Sequence, residues 1–228
     1  MNDIVYILKN GKGTDEIKYS LRSLVNFPHG NVWIYGGHPE GIRADRQVSV
    51  LQRGVTKWQK VRNTLVMVCQ NDEITEDFWL FNDDFFCMKD CEDLPPIYHG
   101  SIKERIREIR DRHGTSEYML KLLQTEGILD KSGLPIRNYA VHMPMLVNRQ
   151  KALEVLNTFD RCPMFRCLYG NYFDIGGENR ADVKIYRMDE EPDHDATWLS
   201  TTNDSFKYGA VGRYIREELN EASEYEIG

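Results

Sequence analysis

The chain has 228 residues, enough for one large domain or a domain with a helical insert, and its 41% hydrophobic and 11% aromatic content suits a packed core. A formal net charge of −7 argues against binding nucleic acid through bulk electrostatics, though not against a local basic groove. Mean hydropathy is −0.56, and no apolar run approaches the roughly 20 residues that span a bilayer. Met1-Asn2-Asp3 leads directly into a strand-like run, without the charged-then-apolar opening of a secretory leader. The five cysteines (Cys69, Cys87, Cys91, Cys162, Cys167) form no CxxC pair, and their spacings suit zinc poorly. Reduced thiols and a cytoplasmic location are the expectation.

Asp3 to Leu8 is a short β-branched and aromatic run, predicted as a buried first strand. Asn10-Gly11-Lys12-Gly13 is a turn, and Thr14 can cap a helix to about Asn26 with Ile17, Leu21, Leu24 and Val25 on its apolar face. Val32–Tyr35 reads as a second strand, and Gln47–Leu51 as a third. A helix over Thr56–Cys69 would turn Trp58, Val61, Leu65 and Val68 inward, and Phe78–Asn82 reads as the next strand. Two helices follow, Ser101–Arg112 and Ser116–Thr125, read as an insertion or lid over about 101–130. Further expectations are a strand over Tyr139–Met143, a helix over Arg149–Thr158, strands over Val183–Tyr186 and Thr197–Thr201, and a last helix over Gly209–Leu219. The acidic tail from Glu217 to Glu226 is expected at the surface. The alternation of strand and helix predicts one α/β domain over 1–228, with ligands beyond the carboxyl ends of the strands.

The stretch richest in chemistry is Trp79-Leu80-Phe81-Asn82-Asp83-Asp84-Phe85-Phe86, a strand that runs into two carboxylates and returns to the core. Buried carboxylates need a partner, and a divalent ion bridging Asp83 and Asp84 to a diphosphate would supply one; an aspartate-rich turn is the plainer reading. Asn10 and Lys12 lie in a loop with the glycine content to approach a phosphate, or simply to turn. Lys60 and Asn63 lie three apart on the helix that precedes the acidic strand, beside Lys57 and Arg62, and can hold a diphosphate or form a solvated face. His142 ends a strand-like run as a general-base candidate or a structural histidine. Arg166 among apolar residues needs an anion or a salt bridge. Asp204 in Asn203-Asp204 is a second acidic turn, able to complete a metal site or only to precede a helix. The basic residues Lys103, Arg105, Arg107, Arg110 and Arg112 could meet nucleic acid, but Glu104, Glu108 and Asp111 among them favour an ion-paired helix.

Taken together, several segments resemble the Stealth family, which includes bacterial capsule sugar-phosphate transferases and the lysosomal-enzyme N-acetylglucosamine-1-phosphotransferase. Asp3-Ile-Val-Tyr is similar to the family's opening strand. Asp15-Glu16-Ile17-Lys18-Tyr19-Ser20-Leu21-Arg22-Ser23-Leu24 and Phe81-Asn82-Asp83-Asp84-Phe85-Phe86 resemble its second region. Val141-His142-Met143-Pro144 resembles its third, and Asn203-Asp204 with Ser223-Glu224-Tyr225-Glu226 its fourth. The loop from Leu8 to Gly13 departs from the family's usual Trp-Val-Asn/Asp-Gly-Ser-Asp.

The resemblance implies a GT-A-like, Rossmann-like fold with a mixed central sheet, using Mg²⁺ or Mn²⁺ and a nucleoside-diphosphate-sugar donor such as a UDP-sugar. It implies Asp83 and Asp84 at the metal and donor phosphates, His142 and Arg166 near the transferred phosphoryl group, and Asp204 as a further acid. The expected reaction moves a sugar-1-phosphate to a hydroxyl of a carbohydrate or other acceptor. Glycosyl transfer with release of a nucleoside diphosphate, to a polysaccharide, a protein or a modified nucleic acid, and a non-catalytic binding protein that retains the fold, are the alternatives.

Overall fold

The computed structural model describes residues 1–11, 14–159 and 163–227. The elements in chain order are β1 (Asp3–Leu8), α1 (Asp15–Arg22) with a 3₁₀ turn Ser23–Asn26, β2 (Val32–Gly36), β3 (Arg46–Val48), α2 (Lys57–Gln70), β4 (Asp77–Phe81), β5 (Phe85–Cys87) and β6 (Ile97–Tyr98). They continue with α3 (Ile102–His113), α4 (Glu117–Lys131), β7 (Met145–Asn148), α5 (Arg149–Thr158), α6 (Phe165–Tyr172), β8 (Glu178–Asn179), β9 (Lys184–Ile185), β10 (Trp198–Thr201), α7 (Asn203–Tyr208) and α8 (Ala210–Glu218).

The main sheet has strand order β3-β2-β1-β4-β7. The first four strands are parallel, and β7 joins antiparallel at the edge beside β4. The architecture is α/β with a mixed central sheet flanked by helices, compatible with a Rossmann-like fold. Alternate residues of β1 serve the two faces. Val5 packs with Leu65 and Val68 of α2, whereas Ile4, Tyr6 and Leu8 pack with Ile17 and Leu21 of α1. Burial on both faces is why β1 reads as an unbroken apolar run. From β1 the chain adds β2 and β3 on one side and then β4 on the other. The carboxyl ends of β1 and β4 therefore flank a topological switch point, where open α/β sheets bind ligands.

At the opposite end of the sheet, buried Asp3 accepts from the Asn31 amide at 2.9 Å and from Trp33 Nε1 at 2.9 Å, pinning β1 to β2. A smaller sheet, β5-β10-β9, continues from the β4 turn and packs Phe86, Leu199 and Ile185 under α7 and α8. The helices α3 and α4 start at serine caps, Ser101 and Ser116. Their Ile102, Ile106, Met119 and Leu122 share the main core with the sheet, so the stretch read as an insertion or lid packs into the body. On α3, Arg105 pairs with Glu108 at 3.0 Å and Lys103 with Glu126 of α4 at 3.4 Å. No described helix is long and apolar enough to cross a membrane.

Several sequence expectations shift. Tyr139–Met143 is extended loop, and the strand forms after Pro144, where the backbone can pair with β4. Val25 is 83% exposed, because the first helix tightens to 3₁₀ at Ser23 and rotates that position outward. Val61 is 43% exposed and faces a cleft rather than the core. The acidic tail is not wholly at the surface. Tyr225 is buried, and Glu226 takes a two-pronged bond from Arg22, 2.7 Å to Nε and 2.9 Å to Nη2. That bond holds the Glu226 carboxyl down at about 2. Cys69, Cys87, Cys91 and Cys167 are buried free thiols, and Cys162 lies outside the described residues.

Gly170 of α6 has no room for a side chain, since a Cβ there would sit 2.5 Å from the buried Tyr139 ring. Gly127 of α4 has nothing within 4 Å. Gly170→Ala is therefore expected to cost about 1–3 kcal/mol by overpacking. Gly127→Ala should gain about 0.5–1 kcal/mol as an ordinary helix substitution. Urea unfolding of both variants checks the contrast, and a stabilised Gly170→Ala would contradict the packing.

Candidate functional site

Two clusters flank the switch point. The first is acidic. Asp83 and Asp84 occupy the turn from β4 to β5, where the chain leaves the main sheet for the smaller one. Asp84 is 8% exposed. Its Oδ2 accepts from Lys184 Nζ of β9 at 2.6 Å and from Ser200 Oγ of β10 at 3.0 Å. Asp83 is partly buried, and its Oδ2 accepts from Thr14 Oγ1 at 3.0 Å. Thr14 thus spends its hydroxyl on Asp83 rather than on capping α1. Burial and the neighbouring Asp84 raise the Asp83 carboxyl above its ordinary value.

Glu16 completes this cluster. In the first turn of α1 it points inward, is 3% exposed, and accepts from Thr201 Oγ1 of β10 at 2.7 Å. Burial, reinforced by repulsion from Asp83 and Asp84 and opposed by the Thr201 bond, pushes its carboxyl up to about 7. Nearby, Ser20 Oγ donates to Phe85 O at 2.6 Å and accepts from Tyr6 at 2.9 Å, fixing α1 against the acidic turn. Asp83 and Asp84 therefore do not open outward as one chelate. Asp84 is anchored by an internal cation, and Asp83 is the outward member. Among the described residues no three His, Cys, Asp or Glu side chains converge as a ready-made metal cage.

The second cluster lies on the α2 face of the sheet. A cleft of about 380 Å³ is lined by residues of α2, α6, the 140–142 loop and the end of β4, including Asn82, His142 and Arg166. His142 Nδ1 lies 2.8 Å from Asp182 Oδ2, and its backbone amide donates to Asp182 Oδ1 at 2.9 Å. An ionised carboxylate only accepts, so Nδ1 carries the proton and Nε2 is the basic nitrogen of the neutral ring. Burial would raise Asp182, but the bonds from His142 outweigh it and hold the carboxyl below its ordinary value. The Tyr186 ring meets the imidazole edge-on at 6.4 Å.

Arg166 has neither of the partners expected for it. Its guanidinium donates to the carbonyls of Met143 and Leu80 (3.1 Å for the latter) and sits 5.3 Å from the Phe85 ring centroid. Burial brings it down to about 10. The side chain ties the end of β4 to the loop that carries His142, which makes it a positioning group for both.

The remaining expectations fare unevenly. Asn82 is exposed on the cleft. Asn10 is occupied by the structure, donating from its amide to Val50 O at 3.1 Å and from its backbone to Gln52 at 3.1 Å. Lys12 lies outside the described residues. Lys60 and Asn63 do not line the cleft. The helical rotation presents Lys57, Trp58, Val61, Arg62 and Leu65 instead, and Asn63 donates to Arg53 O at 3.0 Å. Asp204 is an exposed first-turn acid of α7, with Thr202 and Ser205 forming the capping box. The buried third acid is Glu16. Sequence reasoning also missed Asp182, Lys184 and Ser200. Asp182 and Lys184 flank Val183, the first residue of the predicted strand Val183–Tyr186, and their alternation marks one side of that segment as polar.

Comparison with protein-family models gives no match, and no curated protein matches the chain.

Because the Glu16 carboxyl is raised in the folded state, folding takes up a proton between its unfolded value, about 4.3, and about 7. Its contribution to stability is thus full below the unfolded value and is lost as pH rises through 7. Unfolding midpoints measured from pH 4.5 to 8 should fall with pH over this window. Glu16→Gln should flatten the slope, and an unchanged slope would remove Glu16 as its source.

Proposed function

We propose that the protein is a GT-A-type nucleotide-sugar transferase that moves a sugar-1-phosphate from a nucleoside-diphosphate-sugar to an acceptor hydroxyl. One observation carries the reading. Asn82 of the acidic turn and an imidazole oriented by Asp182 share one cleft at the switch point of the sheet. The motif resemblance to the Stealth family agrees with it, since Asp83, Asp84 and His142 are its signature positions here.

Mg²⁺ and Mn²⁺ are hard cations commonly held by one or two carboxylates plus substrate phosphates. The donor set suits that pattern. The charge of the Asp83 carboxylate is disfavoured by burial and by Asp84, which a cation would relieve, and Asp84 has one oxygen that Lys184 and Ser200 leave unheld. When bound, the cation would neutralise charge on the donor diphosphate. The chain's own groups do the rest. Asp182 holds His142 with Nε2 as proton acceptor, and Arg166 fixes the loop that presents it. The acceptor oxygen forms a bond to the sugar-bearing phosphorus while its proton passes to Nε2. The bond from that phosphorus to the bridging oxygen breaks, and a nucleoside monophosphate leaves.

A second reading draws on the Lys184–Asp84 pair. A cation built into the fold suits a binding protein that keeps the architecture without turnover. The two are separated by incubating the protein with Mn²⁺, labelled UDP-sugars and an acceptor panel. Release of UMP is expected, and release of UDP would indicate glycosyl transfer instead. Asp83→Asn should lower turnover at least about 100-fold, and His142→Ala about 10²–10⁴-fold. Asp182→Asn should act through kcat and shift the pH profile. No turnover with any donor, with the variants binding as the parent does, would favour the binding protein.

A further inference from the structure

The cleft beside His142 has a charge of its own. In a chain of net charge −7, its lining contains Lys57, Arg62 and Arg166 and, among the described residues, no aspartate or glutamate. None of these cations has a carboxylate at salt-bridge distance among the described residues, although Asp84 and Asp182 lie near enough to favour the charge of Arg166. Arg62 donates to Leu156 O at 2.6 Å, Arg166 to backbone carbonyls, and Lys57 lies over the Trp58 ring at 4.5 Å. No described carboxylate pairs with any of the three. The Arg62 Nε is buried and lacks a hydrogen-bond partner among the described residues. That atom is shut off from solvent and so lies behind the cleft wall rather than on it.

The same wall holds an aromatic platform. Trp58 stacks on Tyr118 with ring centroids 6.3 Å apart and 27° between planes. Trp58 is fixed by its Nε1 bond to Glu117 at 3.2 Å, and Val61 and Leu65 extend the apolar surface. Flat aromatic faces take the C–H face of a sugar ring, while a few placed polar groups set its orientation.

We infer that this cleft is an acceptor subsite for an anionic sugar, bearing either a phosphate or a carboxylate. The ring takes the place of the Lys57 ammonium beside the Trp58–Tyr118 pair, the anion meets Arg62 and the displaced Lys57, and a hydroxyl lies at His142. The word acceptor rests on the transferase reading; the binding itself does not.

The test is titration of the full chain, without metal or donor, with glucose 6-phosphate, glucuronate, glucose, inorganic phosphate and UDP, followed by tryptophan fluorescence and calorimetry. At least one of the two anionic sugars should bind tenfold or more tightly than glucose and inorganic phosphate, and their ratio identifies the anion. Trp58→Ala and Arg62→Ala should each weaken that binding at least tenfold. Arg62→Lys, which keeps the charge and guards against a folding defect, should recover part of it, and added salt should weaken it. Equal binding of glucose, or affinities untouched by both alanine variants, overturns the inference. So does UDP displacing the sugars with the same dependence on Trp58, which would give the cleft to the nucleotide. Turnover with a labelled donor but no preference for anionic sugars sinks this inference alone. Anionic-sugar binding without any turnover sinks only the transferase reading.

Discussion

The buried pair between Asp84 and Lys184 is the interaction on which the site depends. A carboxylate 8% exposed is stable only because an ammonium and a hydroxyl meet it. The pair does more than balance charge. Asp84 lies in the turn that leads from β4 of the main sheet into β5 of the smaller one, Lys184 belongs to β9 and Ser200 to β10, so one carboxylate oxygen fastens that turn to the smaller sheet. Removing one member of such a pair leaves an uncompensated charge, which typically costs about 3–5 kcal/mol. The bond between Glu16 and Thr201 repeats the arrangement from α1, and Thr14 adds a third link through Asp83. The acidic turn is a junction of layers as well as a candidate binding site.

That construction separates two tasks that adjacent aspartates might be thought to share. The inner carboxylate sets geometry, and the outer one holds a negative charge that burial and its neighbour disfavour. Across the switch point the same division recurs. Arg166, held by carbonyls, fixes a loop, and His142 on that loop keeps a basic nitrogen. In both clusters a residue committed to the scaffold supports a neighbour with a free valence. Such supporting contacts are what hold a reactive group within the narrow tolerances of a productive geometry.

Most of the fold was legible. β1, β2, α2, β4, α3, α4 and α5 follow from apolar period and caps, because Thr56, Ser101 and Ser116 announce their helices with side-chain bonds to the third residue. α6 was not legible. Its start at Met164 has no side-chain cap, and an aromatic-rich run with Gly170 carries no clear period. The β7 strand was placed a few residues early because the apolar run on either side of Pro144 looks alike, and only pairing with β4 decides between them. Asp83, Asp84, Asn82 and His142 stood out by their position after strand-like runs. Glu16 could not, since an acid in a helix's first turn suits the dipole whether it faces water or the core. Its burial is decided by Thr201, and that of Asp84 by Lys184, and neither partner is visible in local sequence. Lys60 and Asn63 lie on the same helix as the cleft residues Lys57, Val61 and Arg62 but on an adjoining face, a difference too small for period alone to resolve.

The closing bonds of the site span long stretches of chain. Asp84 and Lys184 are 100 residues apart, Glu16 and Thr201 are 185, and Arg22 and Glu226 are 204. During synthesis from the amino terminus, β1, β2 and β4 and their helices can assemble while Lys184, Thr201 and Glu226, the partners of Asp84, Glu16 and Arg22, are still to be made. In that interval the acidic turn is held from α1, by Thr14 on Asp83 and by Ser20 on the Phe85 carbonyl. The parallel strands therefore exist for a time with the acidic turn incompletely paired, and the segment that carries Glu226, by clasping Arg22, later fastens the first helix.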